Sequence, residues 1–284
     1  MTSIGDAFGL PFKDPNWASK LLPQGLIVAV PTAILLSGVY LVVTSVAGAF
    51  SGGGSGFDLA AVSGSGILLL LIGLLATIPA SIATTGWMLT TADNYRAGRW
   101  ELAPAGFHFG RGIGLWGALV MWGIVLEVLG LIPILGILIK LVGWLGFLFL
   151  YPSIIVSVQE GGFAAGVNPS TVFARATANP ANSVIAGLIL LVAGIISVAG
   201  FFCFLIPSIF TVPYSYAIMA GVALWFSLQS SASAPGFGGP QQYQPYQPPP
   251  PFNPPSAPYQ PSEPFQPPPA GTPYQMPPPP PAYQ

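Results

Sequence analysis

Apolar and polar positions along this chain separate into long blocks. They do not alternate with the short period of an amphipathic strand or helix. The longest apolar block, Leu115–Val158, holds only two charged side chains, Glu127 and Lys140. As one helix it would run about 66 Å, whereas a single crossing of a bilayer core needs about 20 residues. The block therefore has to turn, and Pro133 and Gly136 mark the place. The same argument divides Ser183–Gln229, where Gly200, Pro207 and Pro213 put a reversal near Phe201–Ser208. The predicted spans are Leu26–Phe50, Ile67–Thr91, Ile113–Leu131, Leu138–Val156, Ser183–Phe202 and Ile209–Phe226. The fold class is thus all-α, a polytopic membrane protein of six transmembrane helices in three hairpins. Residues 1–24 form a cytoplasmic interfacial segment, 25–229 the six-span domain, and 230–284 a disordered Pro/Gln/Tyr-rich tail.

Breaks inside the spans add detail. Pro31 falls early in the first span, where a kink is tolerated. Pro79 sits mid-span in the second and should bend it. Ser81, Thr84 and Thr85 follow it; their hydroxyls can bond freed carbonyls or neighbouring helices, or line a polar path. Ala47-Gly48-Ala49 has the look of a signal cleavage site, but the apolar run before it exceeds the ~7–15 residues of a signal h-region. Ser51–Gly56 reads as a flexible loop; it lacks the lysine of a phosphate cradle.

The polar connectors share a design. Phe12–Leu22 should form a short interfacial helix, with Asp14 as its cap, Pro15 in its first turn, Trp17 at headgroup level and its lysines toward anionic lipid. The second span ends in Asp93-Asn94-Tyr95-Arg96-Ala97-Gly98, with Tyr95 as an interface anchor, Arg96 at the helix C-terminus and Gly98 closing it. Residues 98–112 carry Arg99, Arg111 and His108, with Phe107 and Phe109 alternating with polar positions, and Gly110–Gly114 reads as a flexible lead into the third span. In residues 159–181, which carry Glu160 and Arg175, Asn168-Pro169-Ser170-Thr171 signals a helix start. The candidate interfacial anchors are Trp17, Tyr95, Arg96, Arg99, Arg111 and Arg175. An interfacial segment followed by a hairpin, three times over, reads as a repeat.

Charge then orients the spans. Lys13, Lys20, Arg96, Arg99, Arg111 and Arg175 fall on one side and Lys140 on the other. By the positive-inside rule both termini are cytoplasmic, in a multi-pass protein of the cell membrane. Glu127 lies about 6 Å inside the end of the third span and Lys140 about 3 Å inside the start of the fourth. They can pair across the hairpin or snorkel to water, and an intramembrane carboxylate is also a candidate for ion or proton handling.

Composition narrows the chemistry. Charged residues are 5% of the chain and the formal net charge is −1, which leaves no basic face for nucleic acid. One Cys and one His make neither a disulfide framework nor a zinc site nor a Cys–His dyad. Cys203, inside an apolar run, reads as a small buried hydrophobe. No catalytic, cofactor-binding or metal-ligating set emerges, so the reading is of a protein without enzymatic activity. Membrane lipid is the implied partner, and nothing in the sequence sets an oligomeric state.

The tail offers other contacts. Tyr246, Tyr259 and Tyr274 sit in recurring Pro-Tyr-Gln triplets, Pro264-Phe265-Gln266 is a variant, and Pro280-Pro281-Ala282-Tyr283 fits a PPxY pattern. Proline removes backbone donors and biases such a segment to polyproline II. Tyr246, Tyr259, Tyr274 and Tyr283 are candidate partner contacts, whether for proline-reading grooves or as weak stickers; a solvated spacer is the plainer reading.

Three passages together resemble a prokaryotic multi-span membrane family, domain of unknown function 4013. They are Pro11-Phe12-Lys13-Asp14-Pro15-Asn16-Trp17 with Lys20; Gly86-Trp87 followed by Asn94-Tyr95-Arg96 and Gly98; and Asn179-Pro180 ahead of the last apolar block. The likeness covers about residues 8–228, and Gly86-Trp87 stands where the family pattern has Gly-Tyr. It implies a bacterial or archaeal multi-span helical protein and carries over no catalytic residue. The functional expectation is a membrane scaffold or assembly protein whose cytoplasmic tail recruits partners. The alternative is a transporter, channel or lipid-handling protein, drawing on Glu127 and the hydroxyls after Pro79.

Overall fold

Runs this apolar have nowhere to satisfy their backbone groups in lipid except in helices. The computed structural model follows that rule. It describes residues 3–51, 64–132, 136–202 and 205–233, all within the unit Met1–Gln242. Those residues form α1 (Asp6–Gly9), a 3-10 turn (Leu10–Lys13), α2 (Trp17–Ser51), α3 (Gly64–Arg96), α4 (Phe109–Leu129), α5 (Gly136–Val167), α6 (Pro169–Ala178), α7 (Pro180–Phe202) and α8 (Leu205–Ser233). Six of these helices, α2 to α5, α7 and α8, are long and apolar enough to cross a membrane. The chain is therefore an all-α, multi-pass membrane protein.

The six spans pack as three hairpins closed into a ring. Within hairpins α2 lies on α3, α4 on α5 and α7 on α8; between them α3 meets α4, α5 meets α7, and α8 returns to α2. Each of these three crossings, which close the ring, has a glycine pressed on a carbonyl. A Cβ on Gly112 would overlap the Ile82 oxygen, one on Gly187 the Leu148 oxygen, and one on Gly25 the Ile209 oxygen. Small residues let membrane helices approach in this way. Two of those carbonyls lie four residues before a proline, Pro152 and Pro213. Proline has no N–H to bond the i−4 carbonyl, so both oxygens are left free to face the neighbouring helix. α8 also touches α3 and α5. It is the most enclosed span: 72% of its most apolar window is buried, against 17–44% in the others.

The helices outrun the predicted spans, most of all at the end rich in charge. α2 starts at Trp17, not Leu26, and passes through Pro23 and Pro31. The expected interfacial helix over Phe12–Leu22 is therefore absent: its first part is the 3-10 turn, its second the first turns of α2. Ala7, Leu10 and Leu21 belong to the common core, so residues 1–24 are no separate segment. Gly110, Gly112 and Gly114 are helical within α4 and not a flexible lead. α3 runs to Arg96, five residues past the predicted end. α5 continues beyond Val156 until Gly162, whose positive φ of 71° breaks it. The helix expected near Asn168 is present as α6. The Asn168 side chain accepts the Ser170 N–H, Pro169 fills the first turn, and Val172 and Ala176 turn one face inward. The expectations for the Ser51–Gly56 loop (beyond Ser51), Pro133, Cys203 and the tail from residue 234 lie outside the described residues.

Candidate functional site

The densest polar construction gathers where α2 begins, α3 ends and α4 begins. Its centre is the connector 97–108. A buried connector must satisfy every backbone group, and here side chains do so. Leu102 and Ala103 are 1% and 0% exposed. The Leu102 N–H donates to Asp14 Oδ2 at 2.9 Å, and its carbonyl accepts from Lys20 Nζ at 2.9 Å. The Ala103 N–H donates to Thr91 Oγ1 at 3.1 Å, and its carbonyl accepts from Trp87 Nε1 at 3.0 Å. Four side chains thus hold four backbone groups of one dipeptide. Further along, Gly106 N–H donates to Gln24 Oε1 at 3.2 Å, and His108 Nε2 donates to Pro104 O at 2.8 Å. Upstream, Asn94 Nδ2 donates to Glu101 O.

Three carboxylates tie the elements around this connector together. Asp14, 1% exposed, accepts from Lys20 Nζ at 2.7 Å and from Asn16 N–H at 2.8 Å, besides Leu102. Burial pushes its carboxyl upward. The hydrogen bonds from Lys20, Asn16 and Leu102, with the Lys20 charge, outweigh burial and leave it below the ordinary carboxylate value. Asp93 on α3 pairs with Arg111 on α4 and accepts from Gln159 Nε2 on α5 at 2.8 Å. Glu160 on α5 sits between Arg96 of α3, at 3.5 Å, and Arg175 of α6, at 2.5 Å.

The predicted anchors consequently work inside the protein more than against lipid. Tyr95 is 2% exposed, under the connector and 6.1 Å from the Trp100 ring. It is not a headgroup anchor, because the chain after α3 folds back over it. Trp17 packs part-buried on the core, edge-on to Phe12. Lys20 turns inward to Asp14, and Lys13 lies over the Trp100 ring. Arg99 Nη2 donates to Asn94 Oδ1 at 2.7 Å, while Arg96, Arg111 and Arg175 are paired as above. Phe107 and Phe109 do face outward, stacked on each other and 66% and 41% exposed. The hydroxyls after Pro79 bond back to their own helix (Ser81 to Ile78 O, Thr84 to Ala80 O, Thr85 to Ser81 O and Ile82 O). Two of them also reach neighbours, Thr84 accepting from Gln24 Nε2 of α2 and Thr85 donating to Gly112 O of α4, both at 3.4 Å.

At the other end of the spans, Lys140 Nζ lies 2.7 Å from Glu127 Oε2, with side chains 42% and 66% exposed. Tyr246, Tyr259, Tyr274 and Tyr283 are outside the described residues. Sequence reading missed Gln24, Thr91 and Gln159 altogether, and it took Asp14 for a helix cap. One signal could have flagged them: each is a polar side chain at the edge of an apolar run in a chain with few polar groups to spend. No protein-family model matches the chain, and neither does any curated protein or solved structure.

Proposed function

We propose that this chain is a membrane scaffold or assembly protein of a prokaryotic cell membrane, with both termini in the cytoplasm. Its six-span body anchors it and its Pro/Gln/Tyr-rich tail recruits protein partners. The observation that carries the reading is where the polar groups go. Asp14, Asp93 and Glu160, with their cationic partners, are engaged in holding helix ends and the connector together. The helix that leads toward the tail, α8, is also the most enclosed one. A body built this way offers a fixed root for a recruiting segment. The one-sided Lys and Arg residues support the cytoplasmic placement, and no enzymatic step is part of the reading. Several residues that carry the resemblance to domain of unknown function 4013, namely Asp14, Lys20, Trp87 and Asn94, are those that hold the connector.

The test is affinity purification from native membranes, full length against a 1–230 truncation, with mass spectrometry of bound proteins and lipids. The scaffold reading expects partners that vanish with the tail. A protein set indifferent to the tail, with one lipid or solute retained by the body, would overturn it in favour of transport or lipid handling.

A further inference from the structure

The half of the α4–α5 hairpin toward its turn is bare on every side. Around α5, Ile137, Leu138, Leu141, Val142, Trp144 and Leu145 are 57–85% exposed. Lipid covers such apolar surface at no cost. It does not suit the Glu127–Lys140 pair set among these residues. Leu131 and Ile137 lie closer to the turn than the two charges and are 78% and 85% exposed, so apolar side chains flank the pair on that side too. Among the described residues, Lys140 Nζ donates to Glu127 Oε2 alone. An ammonium has three donors and a carboxylate two oxygens, so most of the capacity of both groups is unspent in a setting where unspent polar capacity is costly.

We infer that this half of the α4–α5 hairpin is a docking surface for a second copy of the chain, related by a two-fold axis that sets Glu127 of each copy against the partner's Lys140. The pair is its own complement. A two-fold brings one plus and one minus from each side and alternates them in a four-charge ring, the isologous arrangement that closes as a dimer. The ring supplies a second acceptor to each ammonium and a second donor to each carboxylate, and it takes both away from lipid. The surface also allows close approach: Gly123, one helical turn before Glu127 on the same face, has no atom within 4 Å of where a Cβ would stand. The inference is independent of the tail and of its partners.

The test uses full-length protein, labelled singly and reconstituted at low density in phospholipid vesicles. Photobleaching steps and energy transfer between labels report its state. The parent protein should be dimeric. Glu127→Lys alone and Lys140→Glu alone place four like charges at the axis, and each should raise the dissociation constant roughly tenfold or more. Mixing those two variants should restore dimers, now only as mixed pairs, because one copy is all plus and the other all minus. Misfolded variants would not be rescued by mixing, so rescue separates lost docking from lost folding. In a Cys203→Ser background, Trp144→Cys, one turn beyond Lys140, should cross-link between copies and lose that cross-link in either charge variant. A parent that stays monomeric, or a dimer indifferent to both charge changes, overturns the inference.

Discussion

The two halves of α3 are built on different terms. From Ala83 to Leu89 every residue is buried, with connector 97–108, α4 and α8 around it. Toward the other end, Ile67, Leu68, Leu71, Ile72, Leu74 and Leu75 are 44–67% exposed, and only glycines such as Gly66 and Gly73 are buried. α5 repeats the contrast, bare near Lys140 and enclosed from Pro152 to Val158. In the bare half there is no water to flee, so nothing drives apolar side chains together. Helices meet there mainly by backbone approach, as Gly73 does against Leu35 and Gly38 against Leu70. In the charged half, buried polar groups and ion pairs fix the elements relative to one another.

The most severe way to break the contrast is to put a methyl group where backbones touch. Gly112→Ala would drive a Cβ into the Ile82 carbonyl and should strongly destabilise the fold. Gly123→Ala, in the same helix, meets nothing within one copy and should stabilise the protein in a detergent that keeps it monomeric by about 0.5–1 kcal/mol, the usual gain of alanine over glycine in a helix. Thermal unfolding of the pair in one detergent reads both. Equal effects would mean that the two halves of α4 do not differ in packing.

Next in size is the loss of the Asp14 carboxylate. Asp14→Ala leaves Lys20 and the Leu102 N–H without their partner in a buried place, and breaking a buried pair costs about 3–5 kcal/mol. Protease cleavage after Arg99 should appear in this variant and not in the parent. Glu127→Ala should leave that site protected, since it touches only the far half.

These expectations rest on contacts that were unevenly legible in the sequence. The spans could be read because crossing a membrane needs only length and apolarity, which are local. Their ends at the charged side could not, because Trp17, Tyr95 and Gln159 continue helices under cover of chain that is distant in sequence. The basic residues of the cap were recognised, but as lipid anchors. Pairing Arg111 with Asp93, or Arg175 with Glu160, requires knowing how hairpins close into a ring. The prolines carry a consequence that is not local either: Pro31, Pro152 and Pro213 lie inside helices, and where Pro152 and Pro213 free a carbonyl a neighbouring helix comes to lie on it.

Acid sharpens the account of the charged half. Because Asp14 has a lowered pKa in the folded protein, folding favours its ionised form. That stabilisation is complete above the unfolded value of about 3.9 and declines as pH falls through the lower folded value. The stability difference between the parent and Asp14→Asn should stay constant from pH 7 to 5 and shrink below about pH 4. A difference that instead grew on acidification would reverse the sign and remove the carboxylate from the role given to it. In the bare half, a double-mutant cycle of Glu127→Gln and Lys140→Gln should show coupling of about 1 kcal/mol or less in a detergent that keeps the protein monomeric, since no other part of the chain encloses the two side chains. Strictly additive losses would mean that the two charges do not interact.

The smallest effect tests whether the charged half is fully satisfied. The Tyr95 hydroxyl is buried with no hydrogen-bond partner among the described residues, while its ring packs beside Trp100. A buried hydroxyl without a partner carries its desolvation cost with nothing in return. Tyr95→Phe keeps the ring and removes the cost, so the variant should be as stable as the parent or more stable, by up to about 1 kcal/mol. Tyr95→Ala, which removes the ring as well, should lose several kcal/mol through the cavity it leaves. If Tyr95→Phe were clearly destabilised, the hydroxyl would have to be bonded, with an ordered water as the means. The connector clamp would then be a wet one, and the contrast between a packed charged half and a bare far half would rest on water as well as on side chains.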